Sequence, residues 1–187
     1  MASHDLSLQL VRLLEQMRRA DGVPSPEALN QLAATIGSAF KAKLDEVAIL
    51  RLSSDGMLSF LTPVRLSKLG AIPITSSHSL AAKTIREMRG EFINNFSVYR
   101  HPTVFEAVDP SAEQKAAPIQ KIISAPIVAD GKVVGVIQVS RKGKAGEPVG
   151  PDFSAQDLVE LTAVGTTLGK LLASLSVAAN PGAQGRA

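Results

Sequence analysis

The side chains best placed to hold a small molecule lie in the second half of the sequence. Lys121 stands at the start of one predicted strand and Arg141 at the end of its hairpin partner, so the two cations should lie near each other. With Asn94, Asn95 and Gln120 as neutral donors, they could bind a carboxylate or a phosphate through charge-assisted hydrogen bonds. Lysines that flank strands also serve solubility and edge protection, and that alternative stays open.

Gln138 is a further candidate because it interrupts a run of branched apolar residues. Strand alternation places Gln138 and Ser140 on one face of the sheet and Ile137 and Val139 on the other. A buried glutamine needs hydrogen-bond partners, which a polar pocket or a neighbouring loop could supply, and we favour the pocket. The aromatic residues placed to line such a pocket are Phe60, Phe96, Tyr99 and Phe105, for each of which ordinary core packing is the alternative.

Catalytic chemistry is not expected of this chain. Arg100, His101 and Glu106 share one segment, but a histidine and carboxylates on a polar loop usually form a solvated surface. The sequence has no Gly-x-Ser-x-Gly turn, no His-Glu-x-x-His helix and no phosphate loop ending in Gly-Lys-Ser or Gly-Lys-Thr. It contains no cysteine, which excludes disulfides, cysteine-ligated zinc, iron–sulfur clusters and thiol nucleophiles. We therefore predict neither catalytic nor metal-binding residues.

The composition indicates a single globular domain. The chain has 187 residues, 45% of them apolar, and its 20 basic and 17 acidic side chains leave a net charge of +3. Because neither half of the chain is a polybasic arm, nucleic acid is not an expected partner. The start of the chain lacks the basic residues of a secretory signal, and its longest uncharged stretch is too short to cross a bilayer. These features predict a soluble, cytoplasmic protein without a membrane partner.

Apolar periodicity predicts the helices that would frame the site. One stripe runs from Leu6 to Met17, and a second helix should begin with Ser25 as N-cap and Pro26 in its first turn. A third helix is predicted over residues 80–88, closed by Gly90.

The last helix has the most complete set of start signals. Ser154 is the predicted N-cap, Asp157 stands in the capping-box position, and Phe153 and Leu158 can form a hydrophobic staple. Heptad-like spacing then continues through Leu161, Val164, Leu168, Leu171 and Leu175. A shorter helix is expected over residues 102–108.

Two hairpins supply the predicted sheet. Residues 47–52 and 57–61 form the first, and residues 122–128 and 132–140 form the second around Asp130-Gly131, a strong signal for a two-residue turn. A short strand is predicted over residues 91–96, and residues 63–74 read as irregular. The strand count predicts an α+β fold. Its antiparallel sheet should have five to six strands, with terminal helices on one face and loops or short helices over the other.

The sequence resembles the GAF domain family. Residues Ala125 to Val139 look like the penultimate hairpin of that family, Asp152 to Leu161 like the start of its last helix, and Asp45 to Leu52 like its first strand. The resemblance covers roughly residues 25–176 and implies a GAF- or PAS-like fold. Residues 1–24 are then an N-terminal helical element that could serve a dimer, and residues 177–187 a disordered tail.

The resemblance implies a pocket between the sheet and the connections around the third strand and its following helix. Members of the family use it for cyclic nucleotides, tetrapyrroles or small metabolites. Covalent bilin attachment and reduction of free methionine sulfoxide use cysteines, so the sequence excludes both. The segment Asn94-Asn95-Phe96 is close to the cyclic-nucleotide motif but lacks its Lys and its acidic pair. Noncovalent haem would require an axial ligand such as His101, and would give the protein visible absorption.

The combined reading is a non-catalytic sensory module for a small, anionic metabolite, with the cofactor or ligand unidentified. Its predicted ligand-binding residues are Asn95, Phe96, Tyr99, Arg100, His101, Phe105, Lys121, Gln138 and Arg141. The alternative is a dimerisation or partner-docking domain with a vestigial pocket. The helices Leu6–Met17 and Leu161–Leu175 are predicted to pair across a twofold axis in a homodimer, as the resemblance implies, and the alternative is that both merely cover their own sheet.

Overall fold

A computed structural model describes residues 2–19, 24–68, 70–96, 117–144 and 146–178. The α-helices within these ranges are α1 (Ala2–Arg19), α2 (Pro26–Phe40), α3 (Leu80–Glu87) and α4 (Ala155–Ala178). Short 3-10 helices span Leu44–Glu46 and Val64–Lys68. The strands are β1 (Val47–Leu52), β2 (Met57–Thr62), β3 (Ala71–Pro73), β4 (Glu91–Ile93), β5 (Ile119–Ala129) and β6 (Lys132–Lys142).

All six strands join one antiparallel sheet in the order β3-β2-β1-β6-β5-β4. The long β5–β6 hairpin lies near its centre and turns at Asp130 and Gly131, whose φ angles of 49° and 74° match the positive values that a tight hairpin turn requires. The predicted α+β fold with an antiparallel sheet is confirmed.

The predicted helix starts are also confirmed. The Ser25 hydroxyl accepts a hydrogen bond from the Ala28 amide at 3.3 Å, with Pro26 in the first turn of α2. At α4, the Ser154 amide donates to the Asp157 carboxylate at 2.7 Å and the Asp157 amide donates to the Ser154 hydroxyl at 3.2 Å. Each of these local pairs satisfies amides that have no partner inside the helix.

Three local predictions need correction. Residues 63–74 are not wholly irregular, because β3 pairs with β2 through Leu58 and Ile72. Helix α3 ends at Met88 in a left-handed conformation with φ of 50°, not at Gly90. Gly90 serves close packing instead, since a Cβ there would lie 2.8 Å from the Ser124 carbonyl oxygen of β5. The fourth strand ends at Ile93, earlier than predicted. The predicted helix over residues 102–108 lies outside the described residues.

One face of the sheet is covered by α1, α2 and α4. Their apolar stripes pack against side chains of β1, β5 and β6 in one continuous cluster, and we call this face the helix side. Helix α4 approaches the sheet closely because it carries glycine where it crosses β5. A Cβ at Gly165 would lie 2.5 Å from the Pro126 carbonyl oxygen, and one at Gly169 would lie 1.9 Å from that of Val128.

This close approach predicts that Gly169→Ala destabilises the fold. At an exposed helix position, alanine is more stabilising than glycine by about 1 kcal/mol. Here, however, its methyl group would overlap the backbone of β5 and force α4 outward. We expect a net loss of about 1 to 3 kcal/mol in the free energy of unfolding, measured by urea denaturation. Thr162→Ala, at an exposed position of the same helix, should change stability by less than about 0.5 kcal/mol. A Gly169→Ala variant as stable as the parent would show that α4 does not pack this closely.

Candidate functional site

The face of the sheet opposite the helix side lies under α3, and we call it the α3 side. Its apolar packing is divided. One cluster joins β1, β2, β3 and β6 to α3 through Ala48, Leu50, Leu58, Phe60, Leu66, Ile72, Ala81, Ile85 and Val136. A smaller cluster lies toward β4 and joins Phe96, Ile119 and Ile122, with Leu80 and Ile93 packed against it.

A chain of buried polar side chains lies on this side and ties α3 to the sheet. The Gln138 amide donates to the Ser124 hydroxyl at 3.1 Å, and Ser124 lies 2.7 Å from the Thr84 hydroxyl. Thr84 donates to the Leu80 carbonyl oxygen at 2.9 Å, so Ser124 must be the donor to Thr84. Gln138 is only 2% exposed and finds its partner on the adjacent strand. This series of hydrogen bonds therefore fixes the position of α3 on the sheet.

A cleft of about 100 Å³ lies beside α3, between that helix and β4. Its lining residues are Ser77, Ser79, Leu80, Lys83, Arg86, Glu91, Ile93 and Phe96. Lys83 and Glu91 form an ion pair across it at 2.7 Å, and the hydrogen bond to Glu91 raises the pKa of the Lys83 ammonium. Arg86 donates to the carbonyl oxygens of Ile74 and Ser76. The cleft is thus lined by two cations, one carboxylate, two serine hydroxyl groups and three apolar side chains.

The structure places one of the predicted binding residues, Phe96, in the wall of this cleft. Phe96 is 4% exposed, lines the cleft and packs against Ile119 and Ile122. Asn95 is exposed in the turn that follows β4. Phe60 belongs to the larger apolar cluster, in keeping with ordinary core packing. The predicted residues Tyr99, Arg100, His101 and Phe105 lie outside the described residues.

Arg141 and Lys121 are cross-strand neighbours, as the hairpin reading implied. Arg141 is 5% exposed, and its guanidinium donates to the carbonyl oxygens of Phe40 and Lys41, at the end of α2, at 3.2 and 3.0 Å. It also lies 4.5 Å from the ring centroid of Phe153. Burial lowers the pKa of this guanidinium, and the charges of nearby carboxylates partly oppose that shift.

Lys121 holds the segment that precedes α4. Its ammonium donates to the Gly150 carbonyl oxygen at 2.8 Å and pairs with the Asp152 carboxylate at 2.7 Å. Both Lys121 and Arg141 therefore contact residues on the helix side, and neither lines the cleft. The structure brings the two cations together as predicted but separates them from Gln138, which faces the α3 side.

Sequence reasoning missed the roles of three residues in this region. Thr84 and Ser124 complete the polar chain from Gln138, and Asn94 makes two hydrogen bonds to the backbone of Phe153. The available signal was weak: Thr84 is a polar residue on the apolar face of α3, and Ser124 stands between apolar neighbours on β5. Within the described residues, no cluster of three or more His, Asp or Glu side chains could hold a metal ion. No described helix has the length and hydropathy needed to span a bilayer.

Comparison with known proteins identifies the fold. The GAF domain of an Acinetobacter phosphoenolpyruvate-protein phosphotransferase shares 16% identity with this chain, at a TM-score of 0.63, over 93% of this chain and 97% of that one. The GAF domain of A. aeolicus nlh2 in an inactive state shares 14% identity at a TM-score of 0.60, over 92% and 96% of the two chains. A free methionine-R-sulfoxide reductase from Neisseria meningitidis, in complex with its substrate, shares 15% identity at a TM-score of 0.59. The match covers 94% of this chain and 91% of that one. No curated protein sequence matches.

The sequence itself matches a family model described as GAF domain over residues 26–173, which is most of the chain and contains the whole described sheet. Domains of this family are generally sensory or regulatory modules that bind small molecules. The matched sequence and the shared fold lead to one conclusion: this chain belongs to the GAF domain family.

Proposed function

We propose that this chain is a sensory module that binds a small anionic metabolite on the α3 side of the sheet. It carries out no reaction on that ligand and passes its bound state to the terminal helices α1 and α4. The observation that carries the proposal is the difference between the two faces of the sheet. The helix side is closed by one continuous apolar cluster, whereas the α3 side has divided packing and a cleft with charged walls.

The walls of the cleft support a preference for anions. Lys83 and Arg86 project from α3, and the Lys83 ammonium is 2.7 Å from its only close carboxylate contact among the described residues, Glu91. An anionic group that inserts beside Lys83 would exchange one charge-assisted hydrogen bond for another. Arg100 and His101 follow Phe96 in the sequence, and the proposal that they also bind the anion rests on the sequence alone.

The proposal of a non-catalytic role rests on the sequence. The sequence has no cysteine, no Gly-x-Ser-x-Gly turn, no His-Glu-x-x-His helix and no phosphate loop ending in Gly-Lys-Ser or Gly-Lys-Thr. Asn95, Phe96, Tyr99, Arg100, His101 and Phe105 remain the proposed binding residues, and we add Lys83 to them because it lines the cleft. The buried chain through Gln138 serves this site by positioning α3, while Lys121 and Arg141 hold the segment that begins α4.

The anion proposal is tested by a thermal-shift panel of small carboxylates and phosphates, chosen with the help of mass spectrometry of molecules released from the purified protein. We expect at least one anion to raise the melting temperature. Lys83→Met should reduce that rise by more than half, because the ligand loses its cation. Lys121→Met is a matched control, since Lys121 also pairs with a carboxylate at 2.7 Å but on the helix side. It should keep the full rise.

The reverse pattern would move the site. If Lys121→Met abolished the rise while Lys83→Met kept it, the ligand would bind at the strand ends near Arg141. If no anion shifted the parent protein and no small molecule were released from it, the sensory proposal would fail.

A second candidate function, dimerisation or partner docking, is favoured by the surface of the terminal helices. Leu8 and Val11 on α1 are 46% and 41% exposed. Beside them, a groove of about 340 Å³ runs between α1 and α4, with Glu15 and Lys170 among its lining residues. Paired across a twofold axis, these helices would bury the exposed leucine and valine and bring opposite charges together.

This candidate predicts a homodimer at tens of micromolar protein, measured by light scattering. Val11→Glu should shift the protein toward the monomer, because a carboxylate would enter an apolar contact, without a large loss of stability at this exposed position. Arg12→Ala, an exposed neighbour outside the groove, should leave the dimer intact. A monomeric parent protein at this concentration would refute the dimer.

A further inference from the structure

We propose that Asn94 is a latch that holds the end of β4 to the start of α4, so that a disturbance of β4 is transmitted to α4. As a route for ligand signals, this inference rests on the proposed function; as a mechanical link, it does not. Its basis is a set of contacts between segments that are far apart in sequence.

The link consists of two hydrogen bonds that use both ends of the Asn94 amide. The side-chain nitrogen donates to the Phe153 carbonyl oxygen at 2.9 Å, and the side-chain oxygen accepts from the Phe153 amide at 2.8 Å. The two residues are 59 positions apart. A carboxamide donates from its nitrogen and accepts at its oxygen, whereas an ionised aspartate at this position could only accept.

The α4 end of the link is held firmly. Phe153 is buried, and its ring lies under the Arg141 guanidinium. It immediately precedes Ser154, which exchanges hydrogen bonds with Asp157 to cap α4. A displacement of Phe153 therefore acts directly on the first turn of the helix.

The β4 end of the link lies at the edge of the sheet, beside the cleft. Strand β4 has three residues and lies at the edge of the sheet, where β5 is its neighbouring strand. Glu91 and Ile93 of β4 line the cleft, and so does Phe96, two residues after Asn94. Asn94 thus lies within the segment that a ligand beside Lys83 would disturb. Lys121 of β5 separately holds Gly150 and Asp152, which precede Phe153, so this segment stays attached to β5 when β4 is disturbed.

A mutant cycle on the ligand-free full chain tests the latch. Glu91→Gln weakens the ion pair with Lys83 and so perturbs β4 from the cleft. The readout is the amide exchange rate, measured by NMR, in the first turns of α4, including Leu158, whose amide donates to the Ser154 carbonyl oxygen. We expect Glu91→Gln to speed this exchange several-fold in the parent background. The Asn94→Ala variant should by itself exchange these amides about tenfold faster than the parent. In that background, Glu91→Gln should cause no further increase in the exchange rate.

Two further variants separate transmission from loss of packing. Asn94→Asp keeps the acceptor and loses the donor, so it should give an intermediate exchange rate. Asn30→Ala removes an exposed amide from α2, away from this link, and should leave both the exchange rate and the effect of Glu91→Gln at parental values. The latch is refuted if Glu91→Gln has no effect on α4 in the parent, if its effect persists in Asn94→Ala, or if Asn94→Ala leaves α4 unchanged.

Because this cycle uses no ligand, its outcome is independent of the anion panel. A negative panel with a positive cycle would discard the proposed ligand and keep the link. A positive panel with a negative cycle would keep the ligand and discard this route to α4.

Discussion

The buried guanidinium of Arg141 is the contact on which the arrangement of the helix side depends. An arginine side chain keeps its charge inside a protein, so burial is costly unless its donors find acceptors. The last carbonyl groups of α2 supply two acceptors and also lie at the negative end of the helix dipole. Phe153 supplies an aromatic face for the remaining surface of the cation. One side chain of β6 thereby sets the end of α2 and the start of α4 relative to the sheet.

The next two strands of the sheet, β5 and β4, also contribute contacts to the segment before α4. Lys121 of β5 holds Gly150 and Asp152, and Asn94, directly after β4, holds Phe153. Three adjacent strands therefore each place one polar side chain on the short segment before α4. These contacts, together with the close packing of Gly165 and Gly169 against β5, hold α4 in place on the helix side. The α3 side, where polar groups interrupt the apolar packing, is the face on which we propose ligand binding.

Local signals in the sequence predicted much of this fold. The hairpin turn at Asp130-Gly131 and the caps at Ser25 and Ser154 depend on residues within a few positions of each other, so they could be read directly. The three-residue strand β3 was missed because it is too short to show alternation and ends in proline. These differences follow from how far a pattern extends along the chain.

The site was harder to predict because its contacts are not local. A register irregularity between Ile127 and Val128 shifts the hairpin by one residue, which brings Ser124 opposite Gln138 rather than Ile137. The sequence correctly paired Lys121 with Arg141 but could not show that the end of α2, about 100 residues away, takes up the guanidinium. An arginine at a strand end looks the same in sequence whether it binds a ligand or a helix.

Urea unfolding of Arg141→Met and Lys121→Met measures the role of Arg141 most directly. The two side chains are cross-strand neighbours of the same charge, and methionine keeps much of the length of each. If Arg141 holds α2 and α4 to the sheet, its replacement should cost about 2 to 4 kcal/mol, because buried carbonyl groups lose their donors. The partly exposed ion pair of Lys121 should cost less than about 1 kcal/mol. Equal, small losses for both variants would show that the guanidinium does not hold the helix side together.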